Sequence, residues 1–308
     1  MPEASLPVVD LDALDDASAA RAVRAALTGA GFLYVRGHGI DARLLERTFG
    51  AAREFFALST EEKVRFAYTD AESNFGYQGV EGESLDPAGA PDLKEAFTMR
   101  GVVAHGAPSW PSESFRTTVL DYHGSALRVG ARLLERIAAS LELPTTYFVE
   151  RHQGENVTLR LLHYPANLSP RPSQRGAGAH TDYGSITLLF QDEVGGLELR
   201  DANGEWRAAP FVPGAVLVNA GDLMERWTNG LFRSTLHRVE PIRGERDRYS
   251  VVLFVDPDSD VLVECLPSCR SASRPPRFAP ITAQEHVLGK LAKSHAAAAI
   301  GRSGRPQT

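Results

Sequence analysis

From residue 157 onward the chain is divided into short apolar runs separated by turn-forming residues: 157–164, 186–190, 197–200, 205–209, 215–219, 234–239 and 249–255. Runs of this length and spacing predict the strands of a sandwich or barrel. Gly195-Gly196 and Pro213-Gly214 mark turns between them. Asn203-Gly204 predicts a two-residue hairpin, because both positions tolerate positive φ.

The first half reads as helices around one short strand. Asp15, Asp16 and Ser18 offer N-caps for a segment in which Ala22, Val23, Ala26 and Leu27 recur at helical spacing, ended by Gly29 and Gly31. Residues 32–35 form a short apolar strand, and Asp41 then caps a helix with a stripe from Leu44 to Phe56. Ser59 and Glu62 make a capping box. The stretch 70–111 is dense in glycine and proline and predicts a long connection that covers a pocket. A long amphipathic helix over 115–141 follows, stopped by Pro144. The expected organisation is a mainly helical region, 1–150, packed on a β-rich core, 151–290, with a frayed tail over 291–308.

Composition narrows the function. The 308 residues are 43% hydrophobic and 23% charged, and 33 Lys+Arg against 39 Asp+Glu give a net charge of −6, which is ordinary for a soluble domain. No basic block is available for nucleic acid, and no apolar run is long enough to cross a membrane. Cys265 and Cys269 are too few to staple the chain, and their spacing lacks the second pair a structural zinc site needs. The expectation is a cytoplasmic protein with a small-molecule ligand and no obligate protein partner.

Among nine histidines only His180 is followed two positions later by an acid, Asp182. This composition supplies about one such pair by chance, so the spacing gains meaning only from its setting. In an extended segment i and i+2 share a face, and both side chains can then bind one ion. His237, in the run 234–239, offers a third donor. Two imidazoles and a carboxylate with open positions suit non-haem Fe(II), with zinc as the competing metal. Arg248 and Ser250 present a guanidinium and a hydroxyl to one strand face, a fork that matches a carboxylate. Arg171 and Ser173 have the same spacing in a proline-rich loop.

The order His180-Thr181-Asp182, His237, Arg248-Tyr249-Ser250, in a β-rich half behind a helical one, resembles the Fe(II)- and 2-oxoglutarate-dependent dioxygenase family. The likeness is to the branch containing isopenicillin N synthase. It extends over nearly the whole chain, through Leu6-Pro7-Val8-Val9-Asp10, Gly31-Phe32-Leu33-Tyr34-Val35, Gly37-His38-Gly39-Ile40, Lys94-Glu95-Ala96-Phe97, Val218-Asn219-Ala220-Gly221-Asp222-Leu223 and Trp227-Thr228-Asn229-Gly230.

The resemblance implies a double-stranded β-helix, the jelly-roll core of an α+β or mainly β protein with flanking helices. It implies Fe(II) held by His180, Asp182 and His237, the distal carboxylate of 2-oxoglutarate held by Arg248 and Ser250, and Tyr164 beside it. The implied reaction uses O2 to oxidise a C–H bond of a small molecule, a secondary metabolite by analogy, with release of succinate and CO2. Hydroxylation, desaturation and ring formation are all open to such an enzyme. The motif departs at Leu162, where relatives carry Asn, which removes one polar contact. His163 alternates away from Tyr164 and is expected to be structural, as are His38 in a turn and Asn219 and Asp222 at a strand end. Tyr77 and Phe97 lie where relatives place residues over the substrate, and Lys94 and Arg100 are cations available to an acidic group on it. The stretch 70–111 and the segment 265–278 are the expected rim. The rival readings are an Fe(II) oxidase that does without 2-oxoglutarate, a zinc hydrolase, and a non-catalytic binding barrel.

Overall fold

A computed structural model describes residues 6–106 and 109–303. In chain order the elements are β1 (Val8–Asp10), α1 (Asp16–Gly29), β2 (Phe32–Arg36), α2 (Ala42–Phe56), α3 (Thr60–Lys63), β3 (Phe75–Gln78), β4 (Glu95–Arg100), α4 (Val102–His105) and α5 (Glu113–Ser140). There follow β5 (Thr158–Tyr164), β6 (Ala177–His180), β7 (Ile186–Gln191), β8 (Leu197–Arg200), β9 (Trp206–Ala208), β10 (Val216–Ala220) and α6 (Asp222–Trp227). The last are β11 (His237–Val239), β12 (Arg248–Val255), β13 (Leu262–Val263), β14 (Ile281–Thr282) and α7 (Ala283–Ser303).

Two sheets carry the architecture: an eight-stranded one in the order β1-β2-β10-β7-β12-β5-β4-β3 and a four-stranded one in the order β6-β11-β8-β9. The large sheet is buried on both faces, and its period of two divides the side chains between them. Leu33 and Val35, Leu159 and Leu161, and Val251 and Leu253 join the core shared with α1, α2 and α5. Phe32 and Tyr34, Leu162 and Tyr164, and Val252 face the small sheet. The helices are stopped and started as their caps dictate: Asp15 accepts from Ser18 N, Asp41 accepts from Arg43 N and Leu44 N, and the Ser59–Glu62 capping box is complete.

Several expectations change. The 1–150 region is not a separate helical layer, because β1 and β2 form one edge of the large sheet and β4 and β3 form the other. The connection 70–111 contains β3 and β4, obscured in the sequence by Gly76, which adopts φ +115° where a Cβ would meet the Phe66 carbonyl oxygen at 2.7 Å. Strand β6 escapes notice because Ala-Gly-Ala has little β propensity. The hairpin between β8 and β9 is wider than two residues: Asp201 Oδ1 accepts from Asn203 N and Glu205 N, and Gly204 supplies the positive φ. The tail expected to fray from 291 is helical to Ser303, consistent with its run of alanines; residues 304–308 lie outside the described residues.

Strand parity also decides two of the four substrate candidates. Tyr77 and Phe97 are directly opposed across β3 and β4, so they share a face, and it is the helix face. Phe97 is fully buried against the rings of Phe55, Phe75 and Phe115. The Tyr77 hydroxyl donates to Glu95 Oε2 at 2.5 Å, beside Lys63. Phe97→Ala is expected to cost about 3–5 kcal/mol by opening a cavity in this aromatic cluster, measured as a lowered urea midpoint with an unchanged m value.

Candidate active site

His180 closes β6, His237 opens β11, and the two residues are register partners. Their rings lie 4.3 Å apart between centroids. Asp182 follows in the turn after β6, and one donor atom from each of the three falls within 4.8 Å of the others. The tautomers are set by the backbone: His180 Nδ1 meets the Gly178 carbonyl at 2.7 Å and His237 Nδ1 meets the Thr235 carbonyl at 3.1 Å. A carbonyl only accepts, so Nδ1 carries the proton and each Nε2 keeps its lone pair. The two Nε2 atoms stand 3.9 Å and 3.6 Å from Asp182 Oδ1, which leaves room for an ion between them. Burial, helped by His237, holds His180 down to about 3, so the neutral, metal-binding form is the resting one.

The other carboxylate oxygen is already engaged. Asp182 Oδ2 accepts from Thr187 Oγ1 at 2.5 Å and from Asn219 Nδ2 at 2.7 Å, leaving Oδ1 turned to the histidines. Asn219 therefore orients Asp182 rather than serving only backbone groups. Asp222 also departs from its expected role: it accepts from Ser234 Oγ and pairs with Lys290 at 2.6 Å, which ties α7 to α6. His163 lies on the far face, bonded to Glu95 and Asp247.

Deeper in the same cavity, Arg248 is 1% exposed and finds no acid among the described residues. Only Nη2 is bonded, to Gln191 Oε1 at 3.1 Å; Nε, Nη1 and the Ser250 hydroxyl have no partner. The guanidinium rests 4.6 Å over the Tyr164 ring. A buried cation without a counter-ion costs several kcal/mol, and three orphaned donors at one spot make a set that a carboxylate would satisfy. Leu162 stands opposite Ser250 and lines this part of the wall.

Elsewhere the cavity walls mix charge and apolar surface. Lys94 lines the cavity but is paired with Asp92 and with Glu83 at 3.1 Å. Arg160 meets Glu83 at 3.0 Å. Lys94 is thus spent inside the protein rather than free for an acidic substrate. Arg100 Nε donates to Asn156 Oδ1 at 2.6 Å, and its side chain does not line the cavity. The rim also differs from expectation: Asn74, Gln78 and Leu85 of the stretch 70–111 take part, whereas Val287 and Leu291 of α7 replace the segment 265–278. Cys265 and Cys269 are free and buried.

Sequence reasoning missed Thr187, Gln191 and Asp256, all of which line the cavity or bond to groups that do. Parity carried the signal: Thr187 and Gln191 are four apart on β7, and Asp256 continues the even positions of β12.

Residues 155–257 match the model of the 2OG-Fe(II) oxygenase superfamily, and residues 6–115 match that of the non-haem dioxygenase N-terminal region, named for morphine synthesis. A 2-oxoglutarate-Fe(II) type oxidoreductase of Emericella nidulans is 34% identical over 94% of this chain and 88% of its own length. A 2-oxoglutarate-dependent dioxygenase of Monascus ruber is 34% identical over 94% and 95%. Among solved structures, a full-length Neurospora crassa protein in complex with alpha-KG superposes with a TM-score of 0.85 at 31% identity, covering 95% of this chain and 98% of that one. The structural neighbours share the jelly-roll core, and no helix among the described residues is long and apolar enough to cross a membrane. With this geometry and these relatives, the chain belongs to the Fe(II)- and 2-oxoglutarate-dependent oxygenases, enzymes that use O2 and whose family a small-molecule substrate fits.

Proposed function

We propose that His180, Asp182 and His237 hold Fe(II), that Arg248 and Ser250 hold the distal carboxylate of 2-oxoglutarate over Tyr164, and that the enzyme oxidises a C–H bond of a secondary metabolite in the cytoplasm without nucleic acid or an obligate protein partner. The observation that carries this reading is the orphaned donor set of Arg248 and Ser250 in the same cavity as three metal-competent side chains. Bound Fe(II) would supply the coupling of O2 reduction to oxidative decarboxylation of 2-oxoglutarate and to C–H oxidation.

The chain's own residues do the positioning. Gly178 and Thr235 carbonyls fix the imidazoles, Thr187 and Asn219 fix the carboxylate, and Gln191 steers one edge of the guanidinium so that Nε and Nη1 remain for the ligand. A neutral hydrolytic site with the same three metal ligands would have no use for a buried guanidinium left without an acid.

An anaerobic optical titration with Fe(II) and 2-oxoglutarate tests the assignment. Wild type is expected to develop a visible charge-transfer band, and Arg248→Ala to need roughly 100-fold more 2-oxoglutarate, the loss of about 3 kcal/mol expected for a buried charged contact. A band equally easy to form in the variant contradicts the role given to Arg248. Asn219→Ala is expected to weaken Fe(II) about 10–100-fold while the far-UV circular dichroism spectrum stays unchanged; equilibrium dialysis against Fe(II) measures it.

A further inference from the structure

Strand β12 sends alternate side chains into the cavity, and the series does not stop at the strand's end. Arg248, Ser250, Val252 and Phe254 are followed in the same parity by Asp256, which lines the cavity as well. Asp256 is 5% exposed, and its Oδ1 has no hydrogen-bond partner. No cation pairs with it among the described residues. Arg100 is near enough to influence it, but that guanidinium is held by Asn156, whose own amide donates to the Pro257 carbonyl at 2.9 Å.

The backbone opposite is shaped to receive this carboxyl. A Cβ on Gly184 would fall 1.4 Å from Asp256 Oδ1 and 2.4 Å from Cγ. Gly184 lies two residues beyond Asp182, in the turn that presents that ligand, so the carboxyl packs against the backbone of that turn within the cavity wall. Burial pushes the Asp256 carboxyl up to about 7; Arg100 and the nearby Ser185 N–H work against the rise and Asp182 adds to it. A buried carboxyl oxygen left without a donor, as Oδ1 is, is unfavourable unless something meets it. The other buried charges at or near the cavity, Glu83, Asp92, Lys94 and Arg160, already compensate one another. The neighbouring walls, Phe254, Val287 and Leu291, are apolar.

We propose that Asp256 is the substrate-recognition group, its carboxylate accepting a hydrogen bond from a protonated nitrogen on a small molecule of otherwise apolar surface. A cation offsets the charge of a desolvated carboxylate, whereas a hydroxyl offers only a hydrogen bond. The cavity then has two poles: Arg248 for the anionic cosubstrate and Asp256 for a cationic substrate. This inference rests on the functional reading above.

The test uses Mn(II)-loaded protein with saturating 2-oxoglutarate, which allows binding without turnover. Three matched pairs serve as probes: benzylamine and benzyl alcohol, cyclohexylmethylamine and cyclohexylmethanol, and 3-phenylpropylamine and 3-phenylpropanol. Affinities come from ligand-observed NMR. At least one amine is expected to bind about tenfold or more tightly than its alcohol, in keeping with a site built to pair a specific polar group. Asp256→Asn and Asp256→Leu are expected to abolish that preference while keeping their affinity for 2-oxoglutarate. If no amine outcompetes its alcohol on wild type, or if the preference survives both variants, the inference is overturned. Wild-type discrimination needs no variant to fold. Failure of 2-oxoglutarate to bind wild type at all would instead sink the underlying functional reading and this inference with it.

Discussion

Both faces of the eight-stranded sheet are buried, and they are buried against different things. One face meets α1, α2 and α5 and is apolar; the other meets the small sheet across a cavity. The pleat makes this an alternation within every central strand, so each strand carries a structural sequence and a functional sequence interleaved. On β12 the structural one is Tyr249, Val251, Leu253 and Val255, and the functional one is Arg248, Ser250, Val252 and Phe254. A one-residue slip in register would drive a guanidinium into the helix-packed core and expose the core set to the cavity.

That arrangement explains how a protein tolerates Arg248. The sheet pairs β12 with β5 and β7 along most of its length, so the side chain cannot swing to solvent, and its unbonded nitrogens stay in the cavity, where the proposed cosubstrate would meet them. The metal ligands are prepared by the same means. The register pairing of His180 with His237 brings the rings together, carbonyls choose their tautomers, and Thr187 and Asn219 leave Asp182 one free oxygen. The groups that would bind iron and cosubstrate are held by packed strands and, for Asp182, by the hydrogen-bonded turn after β6, the condition for positioning reactants without reorganisation.

Much of this was legible in the chain. Capping residues announced α1, α2 and α3, and the short apolar runs announced most of the small strands. The three metal-competent residues and the Arg248–Ser250 pair were visible as spacings that acquired meaning from their order. What the sequence hid follows from weak local signals. Ala177-Gly178-Ala179 carries little β propensity, so β6 is a strand by tertiary pairing, and in β3 Gly76 interrupts the signal of Phe75 and Tyr77. Tyr77 and Phe97 resemble pocket aromatics until β3 and β4 are placed in register, after which parity turns both to the helices. Thr187 and Gln191 have no motif of their own, because their task is to orient another side chain across the sheet, and Asn219 sits in a recognisable run that does not reveal its bond to Asp182. Lys94 shows in sequence as a free cation and in three dimensions as a neutralised one.

The central claim is that Arg248 and Ser250 form a site for a second carboxylate, separated from the metal. The most direct measurement compares the thermal stability of Mn(II)-loaded protein in 2-oxoglutarate and in 2-oxovalerate, which shares the 2-oxo acid head but lacks the distal carboxylate. At about a hundred times its Kd, 2-oxoglutarate is expected to raise Tm by roughly 5 °C, with 2-oxovalerate at the same concentration giving less than half of that shift. Equal shifts from the two acids would contradict the account.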